Sequence, residues 1–125
     1  MRRQALTSRF GNMLFLSGHL PMRLDGTLAI GKVGQEVSVE EANEAAKWVA
    51  LNMLSTLKAE VGDLDNVVKV HKLVGFVNCV DGFAQQPAVI NGASDLMALV
   101  FEAKGIHARS AVGPRHPRLA KELKR

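Results

Sequence analysis

Cysteine occurs once in the 125 residues, at Cys79, so no internal disulfide can form and no clustered-thiol zinc pattern exists. A lone thiol with no activating neighbour in the sequence reads as a small core residue, with a nucleophilic role the weaker alternative. No apolar run approaches the roughly 20 residues that a membrane helix needs. The arginine-containing start is not followed by a signal-type hydrophobic region, so the chain is expected to be soluble and cytoplasmic. Gly31-Lys32-Val33-Gly34 has neither phosphate-loop nor dinucleotide-loop spacing, and no cofactor is expected. The histidines His19, His71, His107 and His116 are scattered, with no His-x-x-x-His pair or carboxylate cluster; this argues against a metal site and for structural or surface roles. Tyrosine is absent and aromatic residues make up only 5% of the chain, which argues against a base-stacking surface for nucleic acid.

What the chain does contain is enough apolar material, 47%, for one domain with a modest core. No internal repeat or low-complexity segment appears. The net charge of +4 is unevenly placed. Residues 114–125 hold Arg115, Arg118, Lys121, Lys124 and Arg125 against Glu122 alone, which accounts for the whole excess and leaves residues 1–113 formally neutral. A short basic run of this kind reads as a solvated tail, with RNA or anionic lipid as the weaker alternatives. Pro114 and Pro117 argue against an uninterrupted strand there.

The spacing of apolar residues predicts a β(β)αβαβ order. Asn12 to Ser17 reads as a strand between the Phe10-Gly11-Asn12 turn and Gly18. Ser38 followed by Glu41 is a capping-box pattern, and Ala42, Ala45, Ala46, Val49, Met53, Leu57 and Val61 then recur at helical spacing, which predicts a helix over about Val39 to Val61. The β-branched density of Asn66 to Val80 predicts a long strand, with a bulge or bend at Gly75. Val89, Ile90, Ala93, Leu96, Met97, Val100 and Phe101 predict a second helix from near Pro87 to Gly105, and Ile106 to Val112 the last clear strand. Two helices covering one face of a sheet make an α+β layer arrangement.

Within that last strand, the run His107-Ala108-Arg109-Ser110-Ala111-Val112-Gly113 sets one arginine among small and β-forming residues. A guanidinium offers a planar fork that fits a carboxylate in two parallel hydrogen bonds, so Arg109 is a candidate anion clamp; the bland alternative is a surface ion pair.

Together with Leu14-Phe15-Leu16-Ser17-Gly18-His19-Leu20-Pro21, Gly75-Phe76-Val77-Asn78-Cys79 and Val89-Ile90-Asn91-Gly92-Ala93-Ser94-Asp95-Leu96, this run resembles the RidA family, also called YjgF or L-PSP, in both order and spacing from about Phe10 to Gly113. The resemblance implies a chorismate-mutase-like fold, a homotrimer with active sites in the clefts between subunits, and hydrolysis of reactive enamines and imines such as 2-aminoacrylate to 2-keto acids and ammonia. A small carboxylate would be the substrate, Arg109 its anchor. Ser17 corresponds to the serine of the family's early motif, where a hydroxyl can reach substrate or water; its alternative role is to satisfy backbone at a strand end. Asn91 matches the family's helix asparagine, which can equally bond a loop carbonyl or face solvent. Ala111 stands where several relatives have cysteine, a position whose backbone carbonyl holds water in the family. Gly18, beside Ser17 in the early motif, is implied by the resemblance as a substrate contact; Gly18 and Gly92 also read as sites of close backbone packing, and His19 as a pocket-wall element.

The chain departs from the family pattern at both ends. Residues 1–113 are read as the family domain with a shortened start, and residues 114–125 as a basic tail in place of the family's last strand and its water-activating glutamate. A truncated or altered reading frame would account for both. Loss of a strand would expose unpaired amides and carbonyls that recruit other chains. Three functions follow in order: an imine or enamine deaminase, a non-catalytic binder of small carboxylates, and an L-PSP-type endoribonuclease or translation inhibitor. The last has least support, because the domain is neutral and shows no paired histidines.

Overall fold

The computed structural model describes residues 5–114. The proposed shortened start and all of the basic tail beyond Pro114 therefore lie outside the described residues. Four strands and two helices follow in order: β1 (Thr7–Phe10), β2 (Met13–Leu16), α1 (Val39–Val61), β3 (Lys72–Phe76), α2 (Gln86–Phe101) and β4 (Ala108–Val112).

The first helix begins and ends where its sequence says it should. Ser38 Oγ accepts the Glu41 amide at 3.1 Å and the Glu41 carboxylate accepts the Ser38 amide at 3.4 Å, closing a capping box. The helix stops at Gly62, whose φ of 84° no other residue type adopts freely and whose amide still reaches the Lys58 carbonyl. Ala42, Ala46, Ala50 and Leu54 form its buried stripe. Small residues there let α2 come close: a Cβ at Gly92 would sit 2.0 Å from the Asn43 carbonyl oxygen, and the Asn43 side chain donates to the Ala88 carbonyl at 2.9 Å. Glycine inside a helix costs about 1 kcal/mol against alanine, and here backbone contact between helices requires it. The expectation of close packing at Gly92 is met. At Gly18 it is not, since a Cβ there would meet nothing within 4 Å.

The second helix ends at Phe101, four residues before Gly105, and continues as a 3-10 turn over Glu102–Gly105. Gly105 is nonetheless constrained, because a Cβ would lie 2.1 Å from the Met97 carbonyl oxygen.

The strands form two separate ladders in place of the single sheet expected. β1 and β2 pair antiparallel from Thr7↔Leu16 to Phe10↔Met13; β3 and β4 pair parallel from Lys72↔Ala108 to Phe76↔Val112. That unbroken register shows no bulge at Gly75. The glycine is needed instead because Ile90 of α2 presses on it, with Cδ1 2.4 Å from where a Cβ would be. The predicted Asn66–Val80 strand contracts to five residues. Leu64–Asn66 is a 3-10 turn, and the stretch after it borders the α2–β4 connection: Val70 donates to the Lys104 carbonyl at 2.8 Å and Lys69 Nζ to the Ile106 carbonyl at 2.9 Å. Its neighbour is a helical turn, so no ladder forms.

Side chains alternate along β3. Leu73 and, one residue past the strand, Val77 are buried in a core shared with both helices, while Val74 and Phe76 face outward. Cys79 lies in the same core, 7% exposed, and its backbone bridges Val33. Between β2 and β3 opens a cleft of about 1890 Å³, bordered by Phe15, Ser17, Val49, Met53, Leu73 and Ile90 among others. Among the described residues no helix is long and apolar enough to cross a membrane.

Candidate functional site

Parallel pairing decides where Arg109 points. It stands beside Leu73 in the ladder, and residues side by side in adjacent strands share a face, so Arg109 shares the helix-covered side with the buried Leu73. There it meets α2. Nη1 donates to Asn91 Oδ1 at 2.7 Å and to Ser94 Oγ at 3.2 Å. Asn91 and Ser94 are three apart on a helix and hence on one face. The sequence thus brings two candidates together, Arg109 and Asn91, with Asn91 acting on the guanidinium.

Ser94 has a second partner. Its Oγ lies 3.0 Å from His107 Nε2, and His107 Nδ1 lies 2.6 Å from the Gly105 carbonyl oxygen. A carbonyl only accepts, so Nδ1 carries the hydrogen. In the neutral ring Nε2 then accepts from the Ser94 hydroxyl. Arg109, Ser94, His107 and the Gly105 carbonyl form one directed chain. Neither Ser94 nor His107 carries a site role by sequence alone, although both lie in the runs that resemble the RidA family. The legible signal was Asn91-x-x-Ser94 at helical spacing facing His107-x-Arg109 at strand spacing.

Two hydrogens of Nη1 are thereby engaged, and no carboxylate partners Arg109 among the described residues. Ala111 lies two positions along β4 on the same face, beside Gly75 and against the core. Its neighbour Ser110 faces the other way and accepts from Lys72 Nζ at 2.8 Å.

Ser17 and Gly18 belong to another part of the fold. Ser17 extends the hairpin, its amide donating to the Leu6 carbonyl at 2.9 Å and its hydroxyl to the Ala5 carbonyl. Both residues border the cleft between β2 and β3, which is lined by neither Arg109, Asn91 nor Ala111. Within one chain the early motif and the arginine strand are not brought together. His19 borders the same cleft and ties the loop after β2 to α1: Nδ1 donates to the Ser17 carbonyl at 2.7 Å and Nε2 accepts from Thr56 Oγ1 at 2.8 Å.

Nothing in this arrangement forms a cation cage; no group of three or more His, Cys, Asp or Glu side chains suited to a metal ion occurs among the described residues. What it offers is a positive, hydrogen-bonding surface for a small anion.

Comparison with known proteins agrees with this architecture. Protein TCP17 of Trypanosoma cruzi is 45% identical over 104 residues, a match covering 82% of this chain and 65% of that protein, so the chain spans just under two thirds of that relative. The crystal structure of Atu1372, a protein of unknown function from Agrobacterium tumefaciens, superposes with a TM-score of 0.86 at 45% identity, covering 89% of this chain and 72% of its own. A "putative endoribonuclease" from Shewanella oneidensis superposes with a TM-score of 0.85 at 29% identity, covering 94% and 79%. The family model described as "YjgF/chorismate_mutase-like, putative endoribonuclease" matches residues 4–118, and the chain belongs to that family.

Proposed function

We propose that this protein hydrolyses reactive enamines and imines of the 2-aminoacrylate type to 2-keto acids and ammonia, with Arg109 holding the substrate carboxylate. The observation that carries the reading is the Arg109 guanidinium, oriented by two neutral acceptors, Asn91 and Ser94, with no carboxylate on it among the described residues. Such a group keeps its positive charge for an external anion.

The chemistry asks little of the protein because the substrate is already activated. An enamine first takes a proton on carbon and gives one up from nitrogen to the solvent, becoming an imine. Water then adds its oxygen to the imine carbon and gives a proton to nitrogen, and the adduct expels ammonia to leave the keto acid. Binding the carboxylate fixes the reacting carbon relative to a water, which is where proximity and aligned dipoles contribute. Ala111 supplies backbone beside the arginine.

Ser17 and Gly18 join the site from a neighbouring subunit of a homotrimer. Support comes from their separation from Arg109 within one chain and from large apolar side chains left outside, Phe10 and Phe76 being 83% and 81% exposed.

The test is to generate a 2-imino acid with an amino acid oxidase and follow 2-keto acid release. Acceleration over buffer is expected, and none from folded protein would overturn the reading. The descriptions of the family model and of the Shewanella structure favour ribonuclease as a second reading. Residues 1–113 are formally neutral, so no cleavage of single-stranded RNA is expected at physiological salt. Ligand affinity without turnover would identify a non-catalytic binder.

A further inference from the structure

We propose that Ser94 and His107 are positioning residues that hold Arg109 so that its Nε–Nη2 edge, and not its Nη1 end, receives the carboxylate. The inference rests on the reading of Arg109 as the carboxylate anchor and adds how that anchor is kept in place.

A guanidinium has five N–H groups: one on Nε and two on each Nη. Both Nη1 hydrogens are taken, one by Asn91 Oδ1 and one by Ser94 Oγ. Three remain, on Nε and Nη2, and among the described residues they meet no acceptor. That edge presents two roughly parallel donors, the geometry that a carboxylate matches with both oxygens. An approach from the Nη1 end would first have to displace Asn91 or Ser94.

The hydroxyl of Ser94 is useful to Arg109 only if its hydrogen points elsewhere. His107 ensures this. With Nδ1 donating to the Gly105 carbonyl at 2.6 Å, Nε2 of the neutral ring accepts the Ser94 hydrogen at 3.0 Å and turns the oxygen's lone pairs outward. One lone pair takes the Arg109 hydrogen. Each link fixes the direction of the next, from a backbone carbonyl at the end of the helix connection to a charged head at the domain edge. Arginine has many rotamers, so a head already fixed loses less freedom on binding.

Asn91, Ser94, His107 and Arg109 meet because α2 packs against β4. Asn91 and Ser94 share a helical face, and His107, just before β4, and Arg109 within it both reach Ser94 Oγ. Ser94, His107 and Arg109 are all half-buried, so these bonds are partly shielded from competing water.

The test uses the full chain and 2-oxobutanoate as the probe, with binding followed by calorimetry and His107 followed by 15N NMR of its ring. S94A and H107F are expected to weaken binding about fivefold, the scale of one net hydrogen bond. S94T keeps a hydroxyl and H107Q keeps an acceptor where Nε2 stood, so both are expected to bind within about twofold of the parent by the same scale. The His107 ring should show the Nδ1–H tautomer, and S94A should shift its Nε2 signal. Parent-like affinity in S94A and H107F, with binding lost in R109A, would overturn the positioning role and leave the anchor standing. Parent-like affinity in R109A would overturn the anchor itself. An Nε2–H tautomer would overturn the directed chain without reference to any ligand.

Discussion

A methyl group at Gly92 would stand 2.0 Å from the Asn43 carbonyl oxygen, where neither backbone can yield without separating α1 from α2. G92A is therefore expected to lower stability by roughly 2 kcal/mol or more, despite alanine's better helix propensity. At Gly18 a methyl group meets nothing, and G18A should change stability by less than about 0.5 kcal/mol. Thermal unfolding of the pair checks both. The sequence offered the same residue type at both positions and could not show the space around either. Gly92 was legible because a helix interior disfavours glycine, whereas Gly18 lies in the loop after β2, where glycine is common and needs no special cause. Asn91 stood out in the sequence as a candidate, but the partner of its side chain did not: its carbonyl oxygen accepts from Arg109, 18 residues away on another element. At Asp25 a hydrogen bond from the Thr27 hydroxyl, then one from the Thr27 amide, lowers the carboxyl pKa below its ordinary value. The sign follows: this turn is favoured above the unfolded-state pKa and loses that support as pH falls through the lower folded value. The Asp25 carboxyl carbon should titrate below a free aspartate by NMR.

Helix α1 was readable end to end because its signals are local. Ser38, Glu41 and Gly62 act on backbone within four residues, and the apolar spacing between them needs no partner to be recognised. S38A should cost about 1 kcal/mol, measured by denaturant unfolding, because it orphans the Glu41 amide. β3 was harder to delimit. Val67, Val68 and Val70 have the composition of a strand, yet a ladder needs a second strand, and their neighbour is the connection at Lys104 to Ile106. Composition reports what the residues favour, and pairing depends on what the rest of the chain places beside them. The same limit hid the division into two ladders. Nothing within β2 or β3 indicates that a cleft of about 1890 Å³ separates them.

For the whole molecule, the sequence indicated an α+β family domain, which the chain's fold and relatives bear out; it could not say which surfaces face another copy. Phe10, Phe15, Ile30, Val68 and Phe76 remain more than half exposed, an excess of large apolar side chains for an isolated domain of this size. The assembly we propose predicts a mass by light scattering three times that of the 13.5 kDa chain. F76D should shift it to monomer with the fold retained, since Phe76 lies outside the core. A monomer at all concentrations would place Ser17 outside the Arg109 site for good. The central claim is chemical, that Arg109 holds the carboxylate of a reactive imine while water attacks, and one comparison tests it most directly. Release of 2-keto acid from a freshly generated 2-imino acid is measured with the parent protein and with R109A, both confirmed folded. The account predicts acceleration by the parent and a fall to near the buffer rate in R109A. Equal rates from the two proteins, whether fast or at background, would contradict it.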